Sequence, residues 1–222
     1  MLTANISRLR KAYYAPMFIH QMYSQGAGSI SIFTRTPFIS LYNYGPVAVV
    51  SEYFFYFMMY SFLGWVLEGT YNLYSQGTFH KEGFLRGPFK PMYGLAPLLL
   101  LAVRDLEVSL PIFLLCALLI PSAVEYASGW LLQKAFHKQW WDYSGMSYQL
   151  HGHICLHFSL YWWMLSIACM YVLQPLMVLL YRQVGVVWQI AMPLVILLFS
   201  ADILWTCWTR GRGQKEVELG EG

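Results

Sequence analysis

The stretch VSLPIFLLCALLIPSAVEYASGWLL, Val108–Leu132, decides the fold. Its 25 residues carry one charge, Glu125. As an α-helix it rises about 37 Å, enough to cross a hydrocarbon core of roughly 30 Å. Arg104, Asp105 and Glu107 precede it, and Lys134 and Lys138 follow it, so the polar boundaries match the ends of a span. Working outward, four more apolar segments appear: Val47–Leu67, Met92–Val103, Ile154–Tyr181 and Val184–Trp208. The second is short for a span and is opened by Pro88 and Pro91, which makes it tilted, extended or re-entrant. The fourth is interrupted at Gln174-Pro175, and the fifth contains Pro193.

Composition agrees. Of 222 residues, 58% are hydrophobic and 11% charged, against about 25% charged in a soluble domain. Too few charges remain to cover a water-facing surface. Nine Trp and seventeen Tyr suit membrane–water interfaces. The net charge of +3 suggests no nucleic-acid partner. Cys116, Cys155, Cys169 and Cys207 lie in or beside apolar runs without zinc or disulfide spacing. The fold class expected is all-α: a polytopic transmembrane helix bundle of about five spans, with a Gly/Pro-rich interfacial or re-entrant loop before the second. Residues 1–46 read as a basic tail (Arg8, Arg10, Lys11, Arg35) without a signal-peptide pattern, 47–208 as the membrane domain, and 209–222 as a disordered polar tail.

Five spans put the long loops 69–90 and 133–153 and the C-terminus on one face. That face holds Lys81, Arg86, Lys90, Lys134, Lys138, Arg210, Arg212 and Lys215; the other holds Arg104 and Arg182. The positive-inside rule places the long loops and C-terminus in the cytoplasm. Phe62–Glu68 and Ala127–Gln133 each end a span with Gly-Trp and lead into a loop containing His-Lys, which hints at a parallel repeat.

The ionisable residues converge on the long-loop face. Glu68 ends the first span, Glu125 and Asp202 lie inside the third and fifth, Arg86 precedes the second, and His153 and His157 open the fourth. Acids at such depth need partners. The expectation is a polar cavity shared by Glu68, Glu125 and Asp202 with Arg86; the plainer alternative is an ion-pair network that only pins helices.

Two loops flank it. Gly83–Gly94, GFLRGPFKPMYG, is too rich in Gly and Pro to be helical before Pro91, which fits a first helical position. The N–H groups that follow, with Arg86, Lys90 and Tyr93, suggest an anion site. Trp140-Trp141-Asp142-Tyr143-Ser144-Gly145 is an interfacial loop in which Asp142 either caps a turn or faces the basic loop. His153 and His157 are spaced four apart, as metal ligands on one helical face can be, yet no matching pair lies elsewhere; no metal and no cofactor are expected. Walker A, G-x-S-x-G and H-E-x-x-H patterns are absent, so any ATP-driven motor is a separate chain.

Leu63-Gly64-Trp65 with Glu68, Gly87-Pro88-Phe89, Pro91-Met92-Tyr93-Gly94, Glu125-Tyr126, Trp141-Asp142-Tyr143-Ser144 and Gly152 with Ile154-Cys155-Leu156 carry a resemblance. In order and spacing they resemble the CmpB-type family of type IV ABC transporter permeases, over about residues 50–208. The resemblance implies a small multi-span protein of the bacterial plasma membrane, working with separate ATPase or transporter subunits. This chain departs from the family pattern at His153 and Gln133, where arginine and glutamate are usual.

Three functions follow as expectations. The first is a permease or membrane substrate-binding subunit taking a small anionic or zwitterionic solute at Arg86, Lys90, Tyr93, Glu68, Glu125, Asp142, His153 and Asp202. The second is an intramembrane enzyme acting on a lipid-linked or phosphorylated substrate. The third is a sensor or structural membrane protein.

Overall fold

The computed structural model describes residues 46–80 and 82–220, with side chains over 47–212. The basic tail expected over 1–46 lies outside them except for Pro46, as do Lys81 and the side chain of Lys215. The elements are α1 (Pro46–Gln76), α2 (Pro91–Asp105), α3 (Leu110–Phe136), β1 (Gln149–Leu150), β2 (Ile154–Cys155), α4 (Leu156–Ala168), a π-helical turn (Cys169–Leu173) and α5 (Gln174–Gly220). Among the described residues, three helical stretches are long and apolar enough to cross a membrane: Val47–Gln76, Leu110–Phe136 and Leu156–Arg212. The protein is thus an all-α membrane bundle with minimal strand.

Local chemistry explains each boundary. α1 runs past Leu67 to Gln76 because nothing in Glu68–Gln76 breaks a helix. It ends where Gly77 turns left-handed (φ 75°) and its N–H donates to Leu73 O at 3.0 Å. α2 starts at Pro91 as its spacing predicts, and its 15 residues rise only about 22 Å. The interruption expected at Gln174-Pro175 is the π-helical turn. Pro175 offers no N–H to the Tyr171 carbonyl, and the widened turn accommodates its ring. The polar stretch after Trp208, expected to be irregular, is helical to Gly220; Gln214-Lys215-Glu216 are good helix formers.

α5 reverses direction although helical turns continue through it. Tyr60 Oη donates to Gln174 Oε1. Tyr181 Oη then donates to Ser51 Oγ at 3.4 Å, and Trp188 Nε1 to Ser51 O at 2.9 Å. Further on, Phe199 packs on Phe57 with ring centroids 5.8 Å apart, and Asp202 accepts from Gly87 N at 3.0 Å. The chain therefore descends α1 from residue 60 to residue 51 and climbs back. A straight helix would hold Gln174 and Asp202 about 42 Å apart. Both instead lie near the level of Tyr60-Ser61, since Lys90 N donates to Ser61 O at 3.0 Å close to the Gly87 loop.

The core is built on α1, with Phe55, Tyr56, Tyr60, Leu100, Leu101, Phe113, Ala117 and Met170 buried. α2 approaches α1 through glycine. A Cβ on Gly94 would lie 2.4 Å from Ser61 Oγ and 2.6 Å from Phe57 O, and one on Gly64 would lie 2.2 Å from Tyr93 Cγ. Small residues let helix backbones pack this closely. Exposed Val186, Ile190, Leu197 and Leu204 leave α5 with an apolar outer face suited to lipid.

Candidate functional site

A cavity of about 730 Å³ opens between α1, α2, α3, α4 and the loops before α2 and β1, with Ile203 of α5 at its edge. Glu68, Lys90, Tyr93, Glu125 and Asp142 line it; Arg86, His153 and Asp202 do not.

Lys90 immediately precedes Pro91, which excludes the helical conformation there and leaves it extended (φ −122°, ψ 92°). Its N–H is tied to Ser61 O, and its Nζ reaches back to Glu68 Oε2 at 2.8 Å, a largely buried ion pair. One turn on, the Tyr93 ring lies over Gly64, 4.8 Å from Trp162, with its hydroxyl turned toward Glu68.

Glu125 is 3% exposed. Its Oε1 accepts from Tyr143 Oη at 3.0 Å, and burial pushes the Tyr143 phenol well above its ordinary range, so it stays a donor. The Glu125 Oε2 atom is buried and has no hydrogen-bond partner among the described residues. The Trp162 indole also faces the carboxylate.

Asp142 closes an Asx turn: its Oδ1 accepts from Ser144 N at 2.8 Å and from Ser144 Oγ, and these bonds hold its carboxyl below the usual range. At the mouth, exposed Glu82 binds Lys138 Nζ at 3.0 Å and Arg210 Nη1 at 2.9 Å. Both long loops and the end of α5 therefore meet on one face.

Arg86 is placed elsewhere than the sequence suggests. It is exposed, its guanidinium 5.7 Å from the Trp205 ring centroid. Asp202 holds the loop backbone instead, accepting from Arg86 N at 3.3 Å and Gly87 N at 3.0 Å. Lys90 takes the inward place that the sequence reading gives to Arg86.

His153 and His157 do not share a helical face. The chain turns through left-handed Tyr148, His151 and Gly152 to pair Leu150 with Ile154, so His153 lies in a hairpin ahead of α4. His153 is 2% exposed, 5.5 Å from the Tyr126 ring, and its Nδ1 is without a partner among the described residues. Burial holds its pKa below the ordinary value, His151 adds to this, and Asp142 opposes it. His151 pairs with Tyr126 and His157 with Tyr161. No group of three or more metal-ligating side chains comes together among the described residues.

Tyr143, Trp162 and Ser128 are cavity residues that the sequence reading did not single out. Tyr143 had a signal, as part of the Trp-Trp-Asp-Tyr loop. The other two are indistinguishable by type from lipid-facing neighbours.

A family model described as "Putative ABC-transporter type IV" matches residues 55–207. The chain belongs to this family. The match spans every cavity residue described above, and the resemblance read from the Gly-Trp, Pro-Met-Tyr-Gly and Trp-Asp-Tyr-Ser segments lies within it. No curated protein and no solved structure matches the chain.

Proposed function

We propose that this member of the type IV ABC-transporter family is a permease, or a membrane substrate-binding subunit, that holds an amphipathic solute in the cavity around Glu68, Lys90 and Glu125. The observation that carries the reading is the cavity itself. It is large enough for a drug-sized molecule, mostly apolar, and holds a few converging polar groups, as small-molecule sites do. Its mouth lies on the face of the long loops, whose excess of basic residues supports a cytoplasmic side; the membrane in this reading is a bacterial plasma membrane. Five passes follow if Leu156–Arg212 crosses twice, as its contacts with both levels of α1 support. ATP hydrolysis would come from another chain. An anionic solute loses its anchor in this reading: Arg86 stacks outside, and Lys90 is already paired with Glu68.

The test is native mass spectrometry of the protein extracted in lipid nanodiscs, compared with Ser128→Trp, which fills the cavity. A small molecule retained by the wild type and lost from the variant supports the reading. Identical spectra, carrying bilayer lipid alone, would sink it.

A further inference from the structure

We propose that the cavity is built for an organic cation with an apolar body, and that Glu125 is its counter-ion. The inference rests on the solute-cavity reading and adds the charge and chemical class of the occupant.

The charge balance comes first. Lys90 is the one cation among the described cavity-lining residues, and Glu68 occupies it at 2.8 Å. Glu82 is paired with Lys138 and Arg210, and Asp142 is held by Ser144; Glu125 is left with one oxygen held by Tyr143 and the other buried and unpartnered among the described residues. A buried carboxylate without a counter-charge is costly, and a positively charged ligand group would remove that cost. An entering anion would instead meet Glu125 with no free cation lining the cavity among the described residues.

The walls point the same way. Tyr93, Trp141, Tyr143, Phe158 and Trp162 surround the space beside Glu125, with Tyr143 stacked on Phe158 at 4.8 Å and Tyr93 against Trp162 at 4.8 Å. Ring faces attract ammonium-type cations electrostatically, most strongly where water is excluded, and they contact apolar substituents equally well. A carboxylate set among aromatic rings therefore selects a cation with a hydrophobic body. The volume of about 730 Å³ admits one of drug size.

The experiment uses two ions of nearly identical shape and opposite charge. Purified protein in nanodiscs is titrated with tetraphenylphosphonium and, separately, with tetraphenylborate, read by quenching of tryptophan fluorescence. Saturable cation binding at least tenfold tighter than anion binding is expected. Glu125→Gln should weaken the cation at least tenfold, and Glu125→Asp should restore part of the loss. Glu68→Gln, which frees Lys90, should strengthen the anion. Equal affinities for the two ions, or cation binding indifferent to Glu125→Gln, would overturn the proposal. If Glu125→Gln does not fold, the wild-type preference between the ions decides alone. Saturable binding of the borate only, abolished by Ser128→Trp, would overturn the cation while leaving the solute cavity standing. Saturable binding of neither ion would overturn the cation class, and the nanodisc mass spectra then decide the solute reading separately.

Discussion

Asp202 and Gly87 are joined across 115 residues of sequence: the Gly87 amide donates to Asp202 Oδ2 at 3.0 Å, and the Arg86 amide to Oδ1 at 3.3 Å. A carboxylate in the C-terminal half of α5 thus organises an irregular loop that has little secondary structure of its own. Hydrogen bonds to a charged acceptor contribute about 1.5–3 kcal/mol each. Asp202→Ala should raise hydrogen exchange at the Arg86 and Gly87 amides by about ten- to a hundredfold, the equivalent of one such bond. Arg86→Ala leaves the clamp intact and should shift stability by less than about 0.5 kcal/mol. Exchange mass spectrometry over residues 83–90 reads both, and a larger effect from Arg86→Ala would return that side chain to the interior.

The Lys90–Glu68 pair ties the start of α2 to the outer part of α1. Removing one partner strands the other at low dielectric. Lys90→Met or Glu68→Gln alone should each destabilise the detergent-solubilised protein by about 3 kcal/mol. The double variant should recover much of that loss, because no unpaired charge remains. Thermal unfolding followed by tryptophan fluorescence gives the cycle, and additive losses would show that the two residues act separately.

The helices were legible in the sequence because lipid imposes long apolar runs, and a run of 25 residues with one charge has few other readings. The convergence of the acids on one face was legible too, since alternate spans end on alternate sides. The choice between Arg86 and Lys90 was not. Both precede α2, and their inward or outward direction depends on the backbone path of Gly87-Pro88-Phe89, which hydropathy does not encode. The hairpin at Gln149–Cys155 was hidden for a related reason. Spacing of four between His153 and His157 looks helical, but left-handed residues at 148, 151 and 152 start the helix only at Leu156.

Gly94 faces backbone, which cannot move aside as a side-chain end can. A Cβ there would stand 2.6 Å from Phe57 O. Gly94→Ala should therefore destabilise by about 1–3 kcal/mol through overpacking between α1 and α2. Gly145 has open space around it, and Gly145→Ala should be near neutral. Equal melting temperatures for the two variants would contradict the close approach of the helices.

His153 makes stability depend on pH. In the unfolded chain it takes a proton near pH 6.5. In the folded protein its pKa is lower, chiefly because the ring is buried. Between the folded and unfolded values the unfolded state binds more protons, so the contribution is fully present above about pH 6.5 and is lost as pH falls toward the folded value. His153→Asn should flatten that part of the profile. Melting curves from pH 8 to pH 5 compare the two proteins, and parallel profiles would mean that another group carries the dependence.

The reversal within α5 predicts that the chain crosses five times. Tyr181 and Trp188 both sit at Ser51, near the start of α1, whereas Arg210 joins Glu82 and Gly83 at the opposite end. About 57 residues of straight helix would extend roughly 85 Å, far beyond a bilayer core of about 30 Å. Folded back, the same residues would cross twice. Single cysteines, in a background lacking Cys116, Cys155, Cys169 and Cys207, should then label in two groups. Positions 138 and 211 should react with a membrane-impermeant maleimide from one side, and positions 107 and 185 from the other. With the first side cytoplasmic, as the excess of basic residues in the long loops predicts, intact cells should label 107 and 185 and protect 138 and 211 until permeabilised. Labelling of 185 together with 211 would mean that α5 does not fold back across the membrane. The opposite sidedness of both groups would keep the reversal and turn the cavity mouth to the outside.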